Sequence, residues 1–332
     1  MKILMWHLHG GYTDALVRGE HEYLLPVDET RSDWGLGKAG RDWPRVREVT
    51  ADELMDEELD VVVLQRPDEV DVVHRFTGRR PGQEVAAAYV EHDPPREGPT
   101  TSEHPIADRD DILLVHLTHF NRLFWDNGRA PTAVIEHGVP DPGAQYTGEL
   151  PRAAAVITEP MRRWRLAGTD LLPQFAKTAP IDVYGPGGEA LRRTLPPTGI
   201  HHGGELAAAE LRTEIARRRL YLHTGRWTSL GRSLIEAMLV GMPVVAIGAT
   251  DAARAVPPDG GAVSTDLDVL ATAIRALVED PILAQEKGAR ARAHALEHYS
   301  LDRFLREWDD AFALAEEVRQ RSAPTFLDDL PA

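Results

Sequence analysis

The sequence predicts an α/β protein made of two Rossmann-like, doubly wound domains that face a central cleft. Short apolar strands ending in polar residues or glycine recur along the chain, a pattern typical of parallel sheets flanked by helices. A segment rich in glycine and proline, residues 141–151, interrupts this pattern before strands and helices resume. We therefore expect an N-terminal domain over 1–145 and a C-terminal domain over 146–302, with a terminal helix at about 303–321 packing back on the first.

The composition limits the functions that the chain supports. Its 332 residues are enough for two medium-sized domains, and its formal net charge of −16 argues against general affinity for nucleic acid or anionic membranes. The absence of cysteine excludes disulfides, thiolate metal sites and a cysteine nucleophile. No apolar run approaches the roughly 20 residues that cross a bilayer, so we expect no transmembrane segment and a cytoplasmic location. The abundance of Ala, Arg, Asp and Pro suggests a bacterial source.

The predicted strands end next to polar or glycine residues, where a doubly wound sheet keeps its functional groups. In the first half of the chain, strands are predicted at residues 2–8, 60–64, 85–90, 112–116 and 133–135. In the second half, strands are predicted at 153–157, 181–184, 220–223 and 244–247, and helices at 169–176, 206–218, 230–240, 267–279, 281–298 and 301–321.

Residues 220–248 give the clearest prediction, a βαβ unit of a parallel sheet. A helix with apolar residues at helical spacing follows a polar turn, Gly241 ends the helix, and Pro243 prevents its continuation. The N-terminus of such a helix carries unpaired backbone N–H groups that favour an anion, commonly a phosphate. Glu236, early in this helix, is placed to accept hydrogen bonds from a ligand's hydroxyl groups, although a lone glutamate on a helix is often simply solvated.

The order of elements and several motifs resemble the two-domain (GT-B) retaining glycosyltransferases of the family 4 type. The matching residues are Ser-Leu-Ile-Glu-Ala-Met at 233–238, Gly-Met-Pro-Val-Val-Ala at 241–246 and Val-Ile-Glu-His-Gly-Val at 134–139. The resemblance implies transfer of a hexose from a UDP- or GDP-linked sugar to an unknown acceptor, with retention of configuration and without a metal or other cofactor. It also implies that the first domain lies on the acceptor side and that the second binds the nucleotide sugar.

The family's donor motif consists of two glutamates separated by seven residues. By resemblance, the second is Glu236, which would bind the ribose hydroxyls of the nucleotide. The first falls on Thr228, whose hydroxyl forms hydrogen bonds but carries no charge. The turn that follows, Ser229, Leu230 and Gly231, would let backbone amides approach the donor.

A basic run after the predicted strand 153–157 resembles the family's diphosphate-binding segment. The family's arginine falls on Arg162, whereas its lysine falls on Ala167. Arg163 or Arg165 is therefore expected to supply the second charge, because one guanidinium group can form bidentate hydrogen bonds to two phosphate oxygens. The alternative is that the run is a solvated basic face.

Three residues of the first domain match further positions of the family. By resemblance, His92 would lie near the donor sugar and act, with Arg162, in catalysis. Gly10 and Gly11 match a glycine turn after the first strand, which lets the domain approach the phosphates and the acceptor. The alternatives are that His92 is a loop histidine without a function and that Gly10 and Gly11 form an ordinary turn.

Two other functions remain open at this stage. Thr228 and Ala167 depart from the family's pattern, which favours a nucleotide- or sugar-binding protein of the same fold without transfer activity. His7 and His9, two residues apart on the first predicted strand, would point the same way and suit a metal. They favour a metal-dependent hydrolase of the amidohydrolase type, which would need eight βα units.

Overall fold

The structure of the protein is a computed structural model, and it describes residues 1–195 and 199–322. The chain divides into two compact units. Within the described chain, unit 1 comprises residues 1–138 and 301–322, and unit 2 comprises residues 139–195 and 199–300.

This division falls earlier in the chain than the predicted boundary at residue 145. The segment that follows residue 138 is already bonded to unit 2. The Tyr146 amide donates to the Val240 carbonyl at 2.9 Å, and the Thr147 amide donates to the Ala216 carbonyl at 3.0 Å. The glycine- and proline-rich segment is therefore part of the second unit rather than a free linker.

Unit 1 contains a seven-stranded sheet in which all neighbouring strands are parallel. The strands are β1 (Lys2–Met5), β2 (Glu22–Pro26), β3 (Val46–Val49), β4 (Val61–Leu64), β5 (Ala86–Glu91), β6 (Leu113–His116) and β7 (Thr132–Val134). Their spatial order, β3-β2-β1-β4-β5-β6-β7, reverses between β1 and β4. The loops after β1 and β4 therefore flank the place where doubly wound sheets bind ligands.

Both faces of this sheet are covered, so its central strands are continuous apolar runs. Successive side chains of one strand enter opposite cores: Val61 and Val63 pack in one cluster, and Val62 and Leu64 in the other. Four short helices lie in the connections: α1 (Gly10–Leu16), α2 (Ala51–Leu54), α3 (Glu69–Thr77) and α4 (His119–Phe124).

Unit 2 contains a six-stranded sheet, again parallel throughout. Its strands are β8 (Leu150–Val156), β9 (Ile181–Tyr184), β10 (Ile200–Gly204), β11 (Arg218–His223), β12 (Val244–Ile247) and β13 (Gly261–Ser264). The spatial order, β10-β9-β8-β11-β12-β13, reverses between β8 and β11. Ligands are therefore expected where the loops after β8 and β11 meet.

The helices of unit 2 begin and end at residues suited to those positions. Asp280 caps its helix by accepting from the Ile282 amide at 2.9 Å, and Pro281 occupies the first turn. Gly241, in the left-handed region with φ 99°, ends the predicted helix of the βαβ unit, as expected. The helices are α5 (Leu172–Phe175), α6 (Leu191–Thr194), α7 (Ala208–Ala216), α8 (Arg232–Val240), α9 (Ala252–Ala255), α10 (Leu267–Glu279) and α11 (Pro281–His298).

The last helix, α12 (Leu301–Ser322), belongs to unit 1. Phe304, Trp308, Phe312 and Ala315 recur at helical spacing and are buried in the same cluster as Val61 and Val63 of β4. The ring of Phe304 meets that of Tyr12 edge-on, with centroids 5.5 Å apart. None of the helices in the described part of the chain is both long and apolar enough to cross a membrane.

The sequence misses four strands, β2, β3, β10 and β13. Three of them, β3, β10 and β13, are edge strands, and two of these are mixed in composition: β3 reads Val-Arg-Glu-Val, and β10 contains two histidines and two glycines. β2 lies inside the sheet and contains the buried run Tyr-Leu-Leu-Pro, so its composition does not explain why it was missed. The sequence also extends β1 to residue 8, whereas the strand ends at Met5.

We predict that Trp308→Ala lowers the free energy of unfolding by about 3–5 kcal/mol, because it removes a fully buried ring and leaves a cavity. Urea unfolding followed by circular dichroism measures the change. Asp310→Ala, at an exposed position of the same helix, is the matched control and should change stability by about 0.5 kcal/mol or less. Equal losses in the two variants would show that α12 is not anchored in the core of unit 1.

Candidate functional site

In unit 2, the loops after β8 and β11 are in direct contact at the point where the strand order reverses. The Thr224 hydroxyl donates to the Ala167 carbonyl at 2.7 Å, and the Arg226 amide donates to the Leu166 carbonyl at 2.8 Å. Gly168 makes this approach possible. Its φ is 69°, and a Cβ at this position would overlap the Thr224 carbonyl oxygen.

The basic run lies in the loop after β8, and its three arginines differ in their contacts. Arg162 is exposed and forms an ion pair with Glu159, its Nε donating at 2.8 Å. Arg165 is exposed and lies 3.3 Å from a carboxylate oxygen of Asp170. The Arg163 side chain is partly buried and, among the described residues, makes no hydrogen bond or ion pair. Arg163 is therefore the member of the run whose charge is least committed within the protein.

Two further polar groups without partners among the described residues lie at the end of β11 and in the turn that follows it. A Cβ on Gly225 would lie 2.9 Å from the Thr228 hydroxyl and 3.1 Å from Nε2 of His223, so both groups flank this glycine. Burial lowers the pKa of His223 to about 4, which keeps its imidazole neutral at pH 7. Neither side chain has a hydrogen-bond partner in the described chain. The sequence singled out Thr228 but missed His223, although a polar residue at the carboxyl end of a strand was the signal.

Helix α8 directs its N-terminus towards the same turn. Its N-cap residue, Gly231, supplies no side-chain hydrogen bond, and its first turn contains no acidic residue. The helix dipole therefore favours an anion at this end, and no acidic side chain of the first turn opposes it. Leu230 is buried in the core of unit 2, so only its backbone remains for a ligand.

Glu236 lies one turn further along α8 and is mostly buried. Its carboxylate is 3.2 Å from Nε of Arg232 and 3.6 Å from a guanidinium nitrogen of Arg212 on α7. These contacts fix the carboxylate in place. The Arg232 contact is a local i,i+4 pair, whereas the Arg212 contact is not visible in the sequence because Arg212 comes from another helix. Unit 2 thus combines the guanidinium of Arg163, which forms no ion pair in the described chain, a helix N-terminus without a side-chain cap, and a fixed carboxylate, a set able to bind an anion and adjacent hydroxyl groups.

In unit 1, Gly10 and Gly11 do not form the expected glycine turn. They are the first two residues of helix α1, which begins after His9 because the strand has already ended at Met5. His92 follows β5 and lines a cavity of about 740 Å³ at the carboxyl ends of β1, β4 and β5. Its ring packs against that of His9, with centroids 4.0 Å apart.

The hydrolase alternative is wrong. Each unit has an open sheet and not a closed barrel of eight βα units. His7 and His9 lie beyond the first strand and have separate neighbours: Nδ1 of His7 is 2.8 Å from the Gly37 carbonyl oxygen, whereas His9 packs on His92. In residues 1–195 and 199–322, no group of three or more metal-ligating side chains is suitably placed to hold a metal ion.

Comparison with known protein families matches residues 162–310 to the family described as glycosyl transferase-like. This segment contains the basic run, the turn after β11 and helix α8. Comparison with curated proteins finds no significant match.

Solved structures of glycosyltransferases resemble the chain over most of its length. HepE of Anabaena, solved with UDP and glucose, matches with a TM-score of 0.72 and 16% identity, covering 94% of this chain and 99% of HepE. Sucrose-phosphate synthase of Thermosynechococcus elongatus matches with a TM-score of 0.70 and 13% identity, over 96% and 99% of the two chains. The fold is GT-B.

TarM of S. aureus, solved with UDP among its ligands, matches this GT-B chain with a TM-score of 0.61 and 18% identity. The match covers 76% of this chain and 55% of TarM, so the chain spans about half the length of that protein. At these identities, the likeness establishes the fold, and the chemistry has to be argued from the chain's own residues.

We predict that Gly168→Ala lowers the free energy of unfolding by about 2–4 kcal/mol, because the new methyl group meets backbone and the positive φ is strained. Gly143→Ala is the matched control. Gly143 has a φ of 83°, and a Cβ at that position would meet open space within 4 Å, so its substitution adds only the backbone strain of about 1 kcal/mol. Thermal and urea unfolding measure both; similar losses would show that the two loops do not depend on the close approach at Gly168.

Proposed function

We propose that this chain is a retaining glycosyltransferase of the family 4 type that moves a hexose from a UDP- or GDP-linked sugar to an acceptor, without a metal. One observation carries the proposal: Arg163, the N-terminus of α8 and Glu236 belong to neighbouring loops and one helix at the reversal point of unit 2. These are groups that bind a pyrophosphate and a ribose. They lie in the segment that matches the glycosyl transferase-like family.

In this proposal, Glu236 accepts hydrogen bonds from the ribose hydroxyls of the nucleotide. The amides of Ser229, Leu230 and Gly231 and the start of α8 bind the pyrophosphate, with positive charge from the arginine run. We assign the second charge to Arg163, because it forms no ion pair in the described chain whereas Arg165 is paired with Asp170. Arg162 keeps the role that the resemblance gives it, and in this proposal it exchanges Glu159 for the phosphate. These fixed dipoles and charges stabilise the nucleoside diphosphate as it leaves, which lowers the barrier to transfer.

Thr228 and His223 complete this proposed donor-binding site. A hydroxyl at Thr228 replaces the charge of the family's first glutamate and gives one hydrogen bond to the donor sugar or phosphate. His223 is neutral in the unliganded chain, and a diphosphate next to it would favour its protonated form. In unit 1, we assign His92 to a hydroxyl group of a substrate and the α1 start at Gly10 and Gly11 to close approach of a substrate to the backbone.

Retention of configuration fits a mechanism in which the leaving phosphate helps to deprotonate the acceptor hydroxyl. The bond from the anomeric carbon to the phosphate oxygen breaks, the bond to the acceptor oxygen forms on the same face, and the acceptor proton passes to the phosphate. No protein carboxylate is then needed as a base. Glu236 is consistent with this scheme, because its carboxylate is held by Arg212 and Arg232 for binding.

A second candidate function is nucleotide-sugar binding without transfer. It is favoured by Thr228 and Ala167, which stand where the resembled family has a glutamate and a lysine. Incubation with UDP-glucose or GDP-mannose, followed by measurement of released UDP or GDP, separates the two. Binding with no release in the presence of a broad acceptor panel would support the second candidate.

We predict that the chain binds UDP and that Glu236→Gln weakens this binding by roughly 10- to 100-fold, because a charge-assisted hydrogen bond to ribose is lost. Isothermal titration calorimetry measures the affinity. Glu210→Gln, at an exposed position of α7, is the matched control and should bind UDP as the unchanged chain does. If neither UDP nor GDP binds to the unchanged chain, the proposed function is wrong.

We also predict that Arg163→Gln weakens UDP binding by about tenfold or more, whereas Arg165→Gln changes it by less than about twofold. The difference is expected because Arg165 is exposed and paired with Asp170, whereas the Arg163 side chain forms no ion pair in the described chain. The same titration, repeated at two salt concentrations, should show a smaller salt dependence for Arg163→Gln only. The reverse ranking would assign the phosphate contact to Arg165.

A further inference from the structure

The buried polar residue Gln65, which the sequence analysis does not select, joins the segment that follows the first strand of unit 1 to His92. Gln65 follows β4 directly and is 7% exposed. Its Nε2 donates to the backbone carbonyl of Trp6 at 2.9 Å, and its Oε1 lies 3.0 Å from Nε2 of His92. Three side-chain or backbone groups from the ends of β1, β4 and β5 are thus linked in one chain of hydrogen bonds.

The chemistry of these groups determines which atom donates and which accepts in both of these hydrogen bonds. A backbone carbonyl only accepts hydrogen bonds, so the Gln65 atom that faces Trp6 must be the amide nitrogen. The other amide atom, which faces His92, is then the oxygen, and it too only accepts. Nε2 of His92 must therefore carry a hydrogen.

The rest of the environment keeps the ring neutral. Burial lowers the pKa of His92 well below its ordinary value, and the charges of His9 and His137 act in the same direction. The titratable side chains packed around it are His9 after β1, Tyr12 of α1 and His137 after β7. With its proton on Nε2, a neutral ring has its lone pair on Nδ1.

Nδ1 of His92 has no partner among the described residues, and the ring lines the unit 1 cavity. We propose that Gln65 is a positioning residue that holds His92 as the Nε2–H tautomer, so that Nδ1 accepts a hydrogen bond from a substrate hydroxyl. The assignment of a substrate to this cavity rests on the proposed function, whereas the tautomer does not.

The charges around the cavity are mostly paired or negative, which favours a hydroxyl-bearing group over an anion beside His92. Both arginines of its lining are paired with carboxylates: Arg66 donates to Glu69 at 2.8 Å, and Arg96 is paired with Asp93. Glu97 and Glu103 add exposed negative charge to the rim. A phosphate or carboxylate would meet the lone pair on Nδ1 of His92, and of the two arginines in the lining only Arg66 has a buried guanidinium nitrogen, Nη2, without a hydrogen-bond partner.

Nuclear magnetic resonance of the full chain with ¹⁵N-labelled histidine tests the proposal. Long-range ¹H–¹⁵N spectra show which ring nitrogen carries the hydrogen, and His92→Gln identifies the His92 signals by their loss. At pH 7 we expect His92 to be neutral with its hydrogen on Nε2. In Gln65→Leu we expect part of the Nδ1–H form to appear.

Gln65→Glu keeps an acceptor at the same position and adds a charge. We expect it to retain the Nε2–H form and to raise the pKa of His92 by about one to three pH units, because a carboxylate favours the imidazolium. Gln83→Leu, at an exposed position in unit 1, is the control and should leave the His92 signals unchanged.

A hydrogen on Nδ1 in the unchanged chain, or identical tautomers in the unchanged chain and Gln65→Leu, would overturn the proposal. If Gln65→Leu fails to fold, the tautomer of the unchanged chain and the titration of Gln65→Glu still decide it. None of these readings depends on turnover or on nucleotide binding. The UDP titration can therefore fail while the tautomer is confirmed, and the reverse outcome is equally distinguishable.

Discussion

The close approach of the loops that follow β8 and β11 is the constraint on which the candidate site of unit 2 depends. Parallel strands deliver these loops to the same edge of the sheet, and the reversal of strand order leaves space between the helices that follow. The contact from Thr224 to Ala167 then joins the two loops, and Gly168 leaves room for it. Through this contact, a basic loop and the start of α8 are held next to each other.

The sequence predicts the parts of the fold that follow from continuous apolar runs and helix punctuation. β9, β12, α10 and α11 have the predicted bounds, because buried strands and well-capped helices are local signals. Strands such as β3 and β10 carry charged residues, histidine or glycine, and they are strands because a neighbour pairs with them. That information is not local, so the sequence did not reveal it.

The candidate site also contains residues that the sequence predicts and residues that it does not. Glu236 and the arginine run were visible because they stand beside recognisable motifs. The contact of Arg212 with Glu236 joins two helices and is not a local signal. The acids that pair with Arg162 and Arg165 are near in the sequence, but which arginine they bind depends on the conformation of the loop. His223 and Gln65 were within reach, since each stands at or next to the carboxyl end of a buried strand, yet neither belongs to a motif.

Helix α12 makes unit 1 discontinuous in the sequence, and this has a consequence for the order of folding. The aromatic residues Phe304, Trp308 and Phe312 complete the core of unit 1, although its first strand is the first element of the chain. During translation, all of unit 2 has been synthesised before these residues leave the ribosome. The unit that comes second in the sequence is therefore the first whose entire core is available, and nascent unit 1 exposes an apolar sheet face until synthesis reaches α12.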